Sequence, residues 1–267
     1  MTEKKKPDYK NWMPKRYLVI IAIVAVSLLT LSAVVWFFCF RHRFFWMRVT
    51  FSLLLFLFGL VLVFFFFLGL HWYKAFSYDG NRQMAKEIIE GLSGYCKGKK
   101  GKILDVGCGS GALTIALAHK NPEATVYGID RWGIEYIDIT RKLCDDNAKA
   151  EDVGNAFFLY GDARKLDFPD GYFDAVLSNY CFSNIFVTDR QQLILESLRT
   201  LKKGGIFAIH DIMDWIHFGD MDFFLQRLKM MGFEEVHLVD TTKGLFMSET
   251  EAFFLSLGGS YLLYGKK

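Results

Sequence analysis

The chain has 267 residues, 52% hydrophobic and including 27 phenylalanines, with a formal net charge of +3. Residues 1–73 carry nine Lys or Arg against two Asp or Glu, so the remaining 194 residues are net acidic, with 23 basic and 27 acidic side chains. An acidic main body argues against nucleic acid as a partner, because a phosphate-binding footprint belongs on the folded domain. Five scattered cysteines, without a CxxC or a His-paired spacing, suggest neither a disulfide framework nor a metal site, and fit a reducing compartment.

In chain order, a basic tail over residues 1–16 comes first. Tyr17–Phe40 then runs without Asp, Glu, Lys or Arg, and so does Val49–Tyr73. About 20 apolar residues cross the hydrocarbon core of a bilayer, and neither stretch shows the polar stripe of a core helix. A signal peptide has a shorter apolar region. The pattern therefore predicts a hairpin of two transmembrane helices, making this an integral membrane protein. The tail holds six basic residues (Lys4, Lys5, Lys6, Lys10, Lys15, Arg16), and the connection Arg41–Arg48 holds three arginines. Six against three places both ends in the cytoplasm, with a bacterial cell membrane as the expected setting.

Beyond Tyr73 the hydropathy collapses and residues 74–267 read as one domain. Met84, Ile88, Ile89 and Leu92 fall at helical spacing in a lead-in helix. Strands are expected at 102–106, 125–130, 156–160, 173–178, 206–210, 235–239 and 260–264. Helices are expected at 112–119, 135–150, 189–201 and 221–231. Alternation of apolar strands with helices predicts an α/β fold with a seven-stranded, mostly parallel sheet covered on both faces. The final strands would add an antiparallel edge.

Ligands of such sheets bind at the carboxyl ends of the strands. There the segment "ILDVGCGSGALTIALA" sets Gly107, Gly109 and Gly111 between a strand and a helix. Glycine lets backbone approach a ligand and takes positive φ, and the helix offers unpaired N–H groups. "GCGSGA" also satisfies G-x-G-x-x-G/A, the dinucleotide pattern, with Ala112 in last place. Asp130 ends the second strand, where a carboxylate can accept from ribose hydroxyls. An NAD(P)-dependent oxidoreductase and an S-adenosylmethionine enzyme both remain open on these residues.

The ordered set "LDVGCGSG", the strand-end acid Asp130, "GDA", "FDAVLSN" and "LKKGG" closely resembles the motifs of class I S-adenosylmethionine-dependent methyltransferases. The likeness is to the branch that acts on quinones, sterols and other small molecules, and covers residues 76–267. It implies a Rossmann-like sheet and S-adenosylmethionine as cofactor. It places Gly107, Cys108, Gly109 and Gly111 along the methionine end, with Asp105 near the ammonium group. Asp130 and Arg131 would hold the ribose, and Asp162 and the Ala163 amide the adenine. Ser178, Asn179 and Tyr180 would lie under the methionine portion, and Tyr78 would supply an aromatic over the cofactor. His210 and Asp211 are the candidate catalytic bases, and no metal is implied. Where many relatives carry an "hH" pair after the fourth strand, this chain has "YCFSNIF", which leaves the acceptor open. A membrane anchor suits a small apolar acceptor such as a lipid or quinone. A non-catalytic cofactor-binding membrane protein would keep the same residues.

Overall fold

The computed structural model describes residues 6–11, 15–38, 44–133 and 138–267. Two compact units emerge: residues 11–83 form one, and the tail up to Lys10 joins residues 84–267 in the other.

In the first unit, α1 (Lys15–Phe38) and α2 (Phe45–Phe76) are helices of 24 and 32 residues. Each is long and apolar enough to cross a membrane. They touch through small residues: a Cβ on Gly59 would stand 2.8 Å from Leu29. Ser32 Oγ donates to the Ser52 carbonyl at 2.8 Å, and Ser52 Oγ returns the bond to the Ser32 carbonyl at 3.0 Å. The expected spans 17–40 and 49–73 agree with these helices, although residues 39–43, with Arg41 and Arg43 of the connection, lie outside the described residues.

The second unit begins with α3 (Met84–Gly94), which buries Met84, Ile88 and Leu92. There follow β1 (Gly101–Val106), α4 (Ala112–Lys120), β2 (Ala124–Asp130), α5 (Arg141–Ala150), β3 (Ala156–Tyr160), β4 (Phe173–Asn179) and α6 (Gln191–Arg199). The chain then forms β5 (Leu201–Ile212), α7 (Trp215–Phe218), α8 (Met221–Met230), β6 (Glu235–Asp240), α9 (Glu249–Phe254) and β7 (Ser260–Lys266). The seven strands run in the order β3-β2-β1-β4-β5-β7-β6. All neighbouring pairs are parallel except those made by β7, which is antiparallel to both β5 and β6. The antiparallel strand thus lies inside the sheet, and β6 forms the edge.

Alternate strand residues build the core. Leu104, Val106, Val176, Phe207 and Ile209 meet Leu193, Ile194, Leu198, Phe224 and Leu228 from α6 and α8. Burying each such side chain contributes roughly 1.5–3 kcal/mol. Helix starts follow local chemistry. Thr140 caps α5, Asp214 caps α7 and Asp220 caps α8, while Ser248 and Glu251 form a capping box on α9. The helix expected from Glu135 begins instead at Arg141, because Thr140 is extended and accepts from Leu143 N–H; residues 134–137 lie outside the described residues. β5 starts five residues earlier than expected, with Leu201 pairing Phe173 across a register shift. The order of strands reverses between β1 and β4, so their carboxyl ends open a crevice.

Candidate functional site

The crevice is lined first by the loop from β1 to α4. Gly107 and Cys108 both donate N–H to the Ile129 carbonyl, at 2.8 and 3.0 Å, which hooks the loop over β2. Gly107, Gly109 and Gly111 have φ of 76°, 54° and 86°. A Cβ on Gly107 would stand 2.3 Å from Cys181 Sγ, and one on Gly111 2.9 Å from Phe158, so packing also demands glycine there. A Cβ on Gly109 would meet nothing within 4 Å, so the loop is open on that side. Cys108 is buried, and its thiol is pushed well above its ordinary pKa by that burial.

Asp105, two residues before the loop, is 1% exposed. Thr114 Oγ1 donates to its Oδ2 at 2.6 Å, while Oδ1 is buried without a hydrogen-bond partner among the described residues. Burial raises its pKa to about 7. A buried carboxylate oxygen with no donor is costly, and a ligand cation or N–H group would relieve it.

Asp130, at the end of β2, accepts from Gly109 N–H through Oδ2 and from Trp132 N–H through Oδ1, both at 2.9 Å. Trp132, at φ 42°, donates its indole N–H to the Gly109 carbonyl at 2.9 Å and stands edge-on to Tyr160 at 5.0 Å. These two aromatics form a wall that the sequence reading missed. The available signal was an indole two residues past the strand-end acid. Arg131 lies exposed beside them.

After β3, Asp162 receives Arg164 Nε at 3.0 Å and Nη2 at 2.5 Å, and this pairing holds its carboxyl below the usual range. Ala163 is buried next to it. At the end of β4, Ser178 is fully buried and donates to the Val106 carbonyl at 2.8 Å, tying β4 to β1 beneath the loop. Asn179 Oδ1 pairs with His210 Nδ1 at 2.8 Å. Tyr180 has φ 47°, a conformation that costs a non-glycine residue about 1–3 kcal/mol, and its hydroxyl meets Ser260 Oγ at 2.9 Å.

The two candidate bases are placed otherwise than a base requires. His210 is 0% exposed, Nε2 meets Thr241 Oγ1 at 3.0 Å, and burial lowers its pKa to about 3. Asp211 is also 0% exposed and accepts from Ile212 N–H at 2.8 Å, Phe182 N–H at 2.7 Å and Ser183 N–H at 3.2 Å. A general base needs an accessible lone pair and a matched pKa. Here the two residues fasten the exits of β4 and β5. Tyr78 sits in a turn within the unit of residues 11–83.

One further element was invisible in the sequence. The tail docks on α5: Asp8 N–H donates to Asn147 Oδ1 at 2.7 Å, and Asn147 Nδ2 donates to the carbonyls of Asp8 and Ser110 at 3.1 and 3.0 Å. Tyr9 donates its hydroxyl to Glu151 at 3.2 Å. One buried asparagine thus joins the glycine loop to residues more than 100 positions earlier in the chain.

Residues 104–209 match the family described as Methyltransferase domain. The chain is similar to demethylmenaquinone methyltransferase of Geobacillus stearothermophilus, 38% identical over 111 residues, which is 41% of this chain and 44% of that protein. It is also similar to an uncharacterized methyltransferase of Schizosaccharomyces pombe, 32% identical over 109 residues, 40% of this chain and 38% of that one. The matched stretch thus spans less than half the length of these relatives. Among solved structures, a geranyl diphosphate methyltransferase in complex with GPP and sinefungin superposes with a TM-score of 0.54 at 14% identity, covering 73% of this chain and 81% of that one. The cyclase SpnF does so at 0.53 and 20% identity, covering 72% and 84%. At such identities the likeness shows the fold alone, and a cyclase among its bearers shows that this fold does not fix the reaction.

Proposed function

We propose that the chain, whose residues 84–267 form a class I S-adenosylmethionine-dependent methyltransferase domain, methylates a small apolar acceptor at a membrane. The observation that carries the cofactor is Asp105: a buried carboxylate oxygen without a donor, beneath a glycine loop open at Gly109. A pyrophosphate would be repelled by such a group, whereas the ammonium of a methionyl moiety complements it. When bound, S-adenosylmethionine supplies a methyl group on a cationic sulfur, given up by in-line displacement.

The chain's own residues would divide the work. Asp105 takes the ammonium, and Gly107, Gly109 and Gly111 let backbone close on the ligand. Asp130, already fixed by two backbone N–H groups, turns its remaining lone pairs to ribose hydroxyls, with Arg131 beside it. Trp132 and Tyr160 wall the adenine, whose amino group Asp162 and the Ala163 amide would read. Ser178, Asn179 and Tyr180 form the floor of the crevice. His210 positions Asn179, and Asp211 positions the turn at Phe182 and Ser183. Both are fully buried and held by hydrogen bonds within the fold, so we assign catalysis to alignment and exclusion of water, on an acceptor that needs no protein base.

Membrane residence is supported by the two apolar helices, whose exposed faces carry Ile23, Phe51, Phe58 and Phe64 and whose mutual contact uses small residues. The tail before the first helix and the domain after the second belong to one unit. A membrane hairpin would put both on one side, and the lysine-rich tail supports the cytoplasmic side. A quinone-type acceptor is supported by the demethylmenaquinone enzyme among the relatives. The family match ends at residue 209, before the β5 exit.

Calorimetric titration of the purified full chain in detergent, with S-adenosylmethionine and with NAD, tests the cofactor. Binding of the sulfonium cofactor alone, weakened in Asp130→Ala, is expected; binding of NAD instead would overturn the reading. Membranes supplied with methyl-labelled cofactor should then put label into the lipid extract, and label confined to water-soluble products would remove the apolar acceptor.

A further inference from the structure

Three exits at the carboxyl edge of the sheet carry large apolar side chains that the cofactor half does not use. Phe186 follows β4 and is 98% exposed; Trp215 and Ile216, on α7 after β5, are 72% and 87% exposed. Leu245, Phe253 and Phe254, in the crossing from β6 to β7, are exposed as well. β6 runs parallel to β5, since both are antiparallel to β7, so all three exits open on the same edge as the glycine loop. They are fastened together. Arg190 donates to the His217 carbonyl at 3.3 Å, Gln191 to the Phe218 carbonyl at 2.8 Å, and Met213 N–H to the Gly259 carbonyl at 2.8 Å. Phe218, Met213, Ala252 and Leu255 are buried beneath them, so the exposed residues stand on a packed base. Large exposed apolar side chains gathered on joined loops at a site entrance point to a contact with something apolar.

We propose that this rim is a membrane-contacting face, in which Phe186, Trp215, Ile216, Leu245, Phe253 and Phe254 enter the interface of the bilayer and admit the acceptor directly from it. The proposal rests on the anchored reading above. Chain length names the bilayer as occupant. Only residues 77–83 join α2 to α3, and seven residues span at most about 25 Å fully extended. Residues 11–14 alone join the docked tail to α1. A domain tethered twice by short segments to membrane-crossing helices stays within reach of the lipid surface. Trp and Phe suit the headgroup boundary. The charges among these exits are mixed (Asp189, Arg190, Asp214, Asp220, Lys243, Glu249) with no basic excess. Insertion would therefore come from apolar area rather than from attraction to anionic lipid.

The test uses the full chain in nanodiscs of phosphatidylcholine, with a nitroxide on Ile216→Cys or Phe253→Cys. The control label sits on Lys203→Cys, an exposed position where β5 enters at the opposite edge. The unsubstituted chain serves as labelling blank, and retained S-adenosylmethionine binding reports that each variant is folded. At 216 and 253, relaxation by oxygen should exceed relaxation by a water-soluble nickel chelate severalfold relative to position 203, unchanged by raised salt. Labels as open to nickel as at 203 would overturn the proposal, and labels shielded from both relaxants would overturn it in favour of a second protein copy. Alkaline carbonate extraction separates the two levels. A chain released by carbonate sinks the anchored reading itself, whereas a retained chain with water-exposed labels sinks only the rim.

Discussion

Asp105 and Asp211 are both buried aspartates of one sheet, at the carboxyl ends of β1 and β5, and they are in opposite states. Asp211 has three backbone N–H donors on its two oxygens, whereas Asp105 has one hydroxyl on one oxygen and nothing on the other. Both are raised by burial, so burial does not tell them apart. Hydrogen-bond satisfaction does. A satisfied buried acid holds the fold together, whereas an unsatisfied one calls for a partner, which the proposed function assigns to the cofactor.

The sharpest way to break that contrast is substitution of both. Asp105→Asn should weaken S-adenosylmethionine binding by roughly 100-fold, the loss of a buried charge partner being worth about 3 kcal/mol, with the melting temperature unchanged or raised. Calorimetry and thermal unfolding on the same sample read both. Asp211→Asn should do the reverse. An amide nitrogen then faces backbone donors, costing about 2–3 kcal/mol of stability while cofactor affinity stays near that of the parent. An Asp211→Asn protein with parental melting and abolished turnover would make Asp211 a catalytic group and erase the distinction.

The pH dependence is next in size. Burial raises Asp105 to about 7, and the proposed contact with an ammonium requires it ionised. Binding therefore releases a proton below that pH. Affinity falls about tenfold for each unit of pH below about 7. Asp105→Asn should flatten this slope and Asp211→Asn should leave it. A slope that survives in Asp105→Asn would assign the proton elsewhere. The smallest effect belongs to Trp132→Phe, which keeps a ring but loses the bond to the Gly109 carbonyl. About 1 kcal/mol, or a few-fold in affinity, is expected by the same titration, and no change would remove Trp132 from the site.

Much of the fold was legible because it is local. The apolar runs of β1, β2 and β4 are buried strands with glycine or polar residues at their ends, and period and punctuation alone place them within one or two residues. The glycine loop was legible for the same reason, since positive φ at 107, 109 and 111 is a demand of the backbone on the residue type. The start of α5 was misjudged because helical spacing upstream outweighed Thr140, whose capping role shows only in its extended geometry. His210 and Asp211 looked like bases because strand-end polar groups in this fold face a ligand. Nothing nearby in the sequence announces that Asn179, Thr241, Phe182 and Ser183 fill them.

Pattern and composition alone specify an α/β sheet, a glycine loop at its carboxyl edge and two segments of membrane length. Each follows from side-chain volume, periodicity or backbone freedom within a few neighbours. Long-range contacts settle which buried acid keeps an oxygen unpartnered among the described residues, that Trp132 closes the loop, and that Asp8 reaches Asn147 across 139 positions. Those outcomes depend on donors and acceptors brought together from distant parts of the chain, and a polar group's satisfaction is a property of its partners rather than of its own position in the sequence.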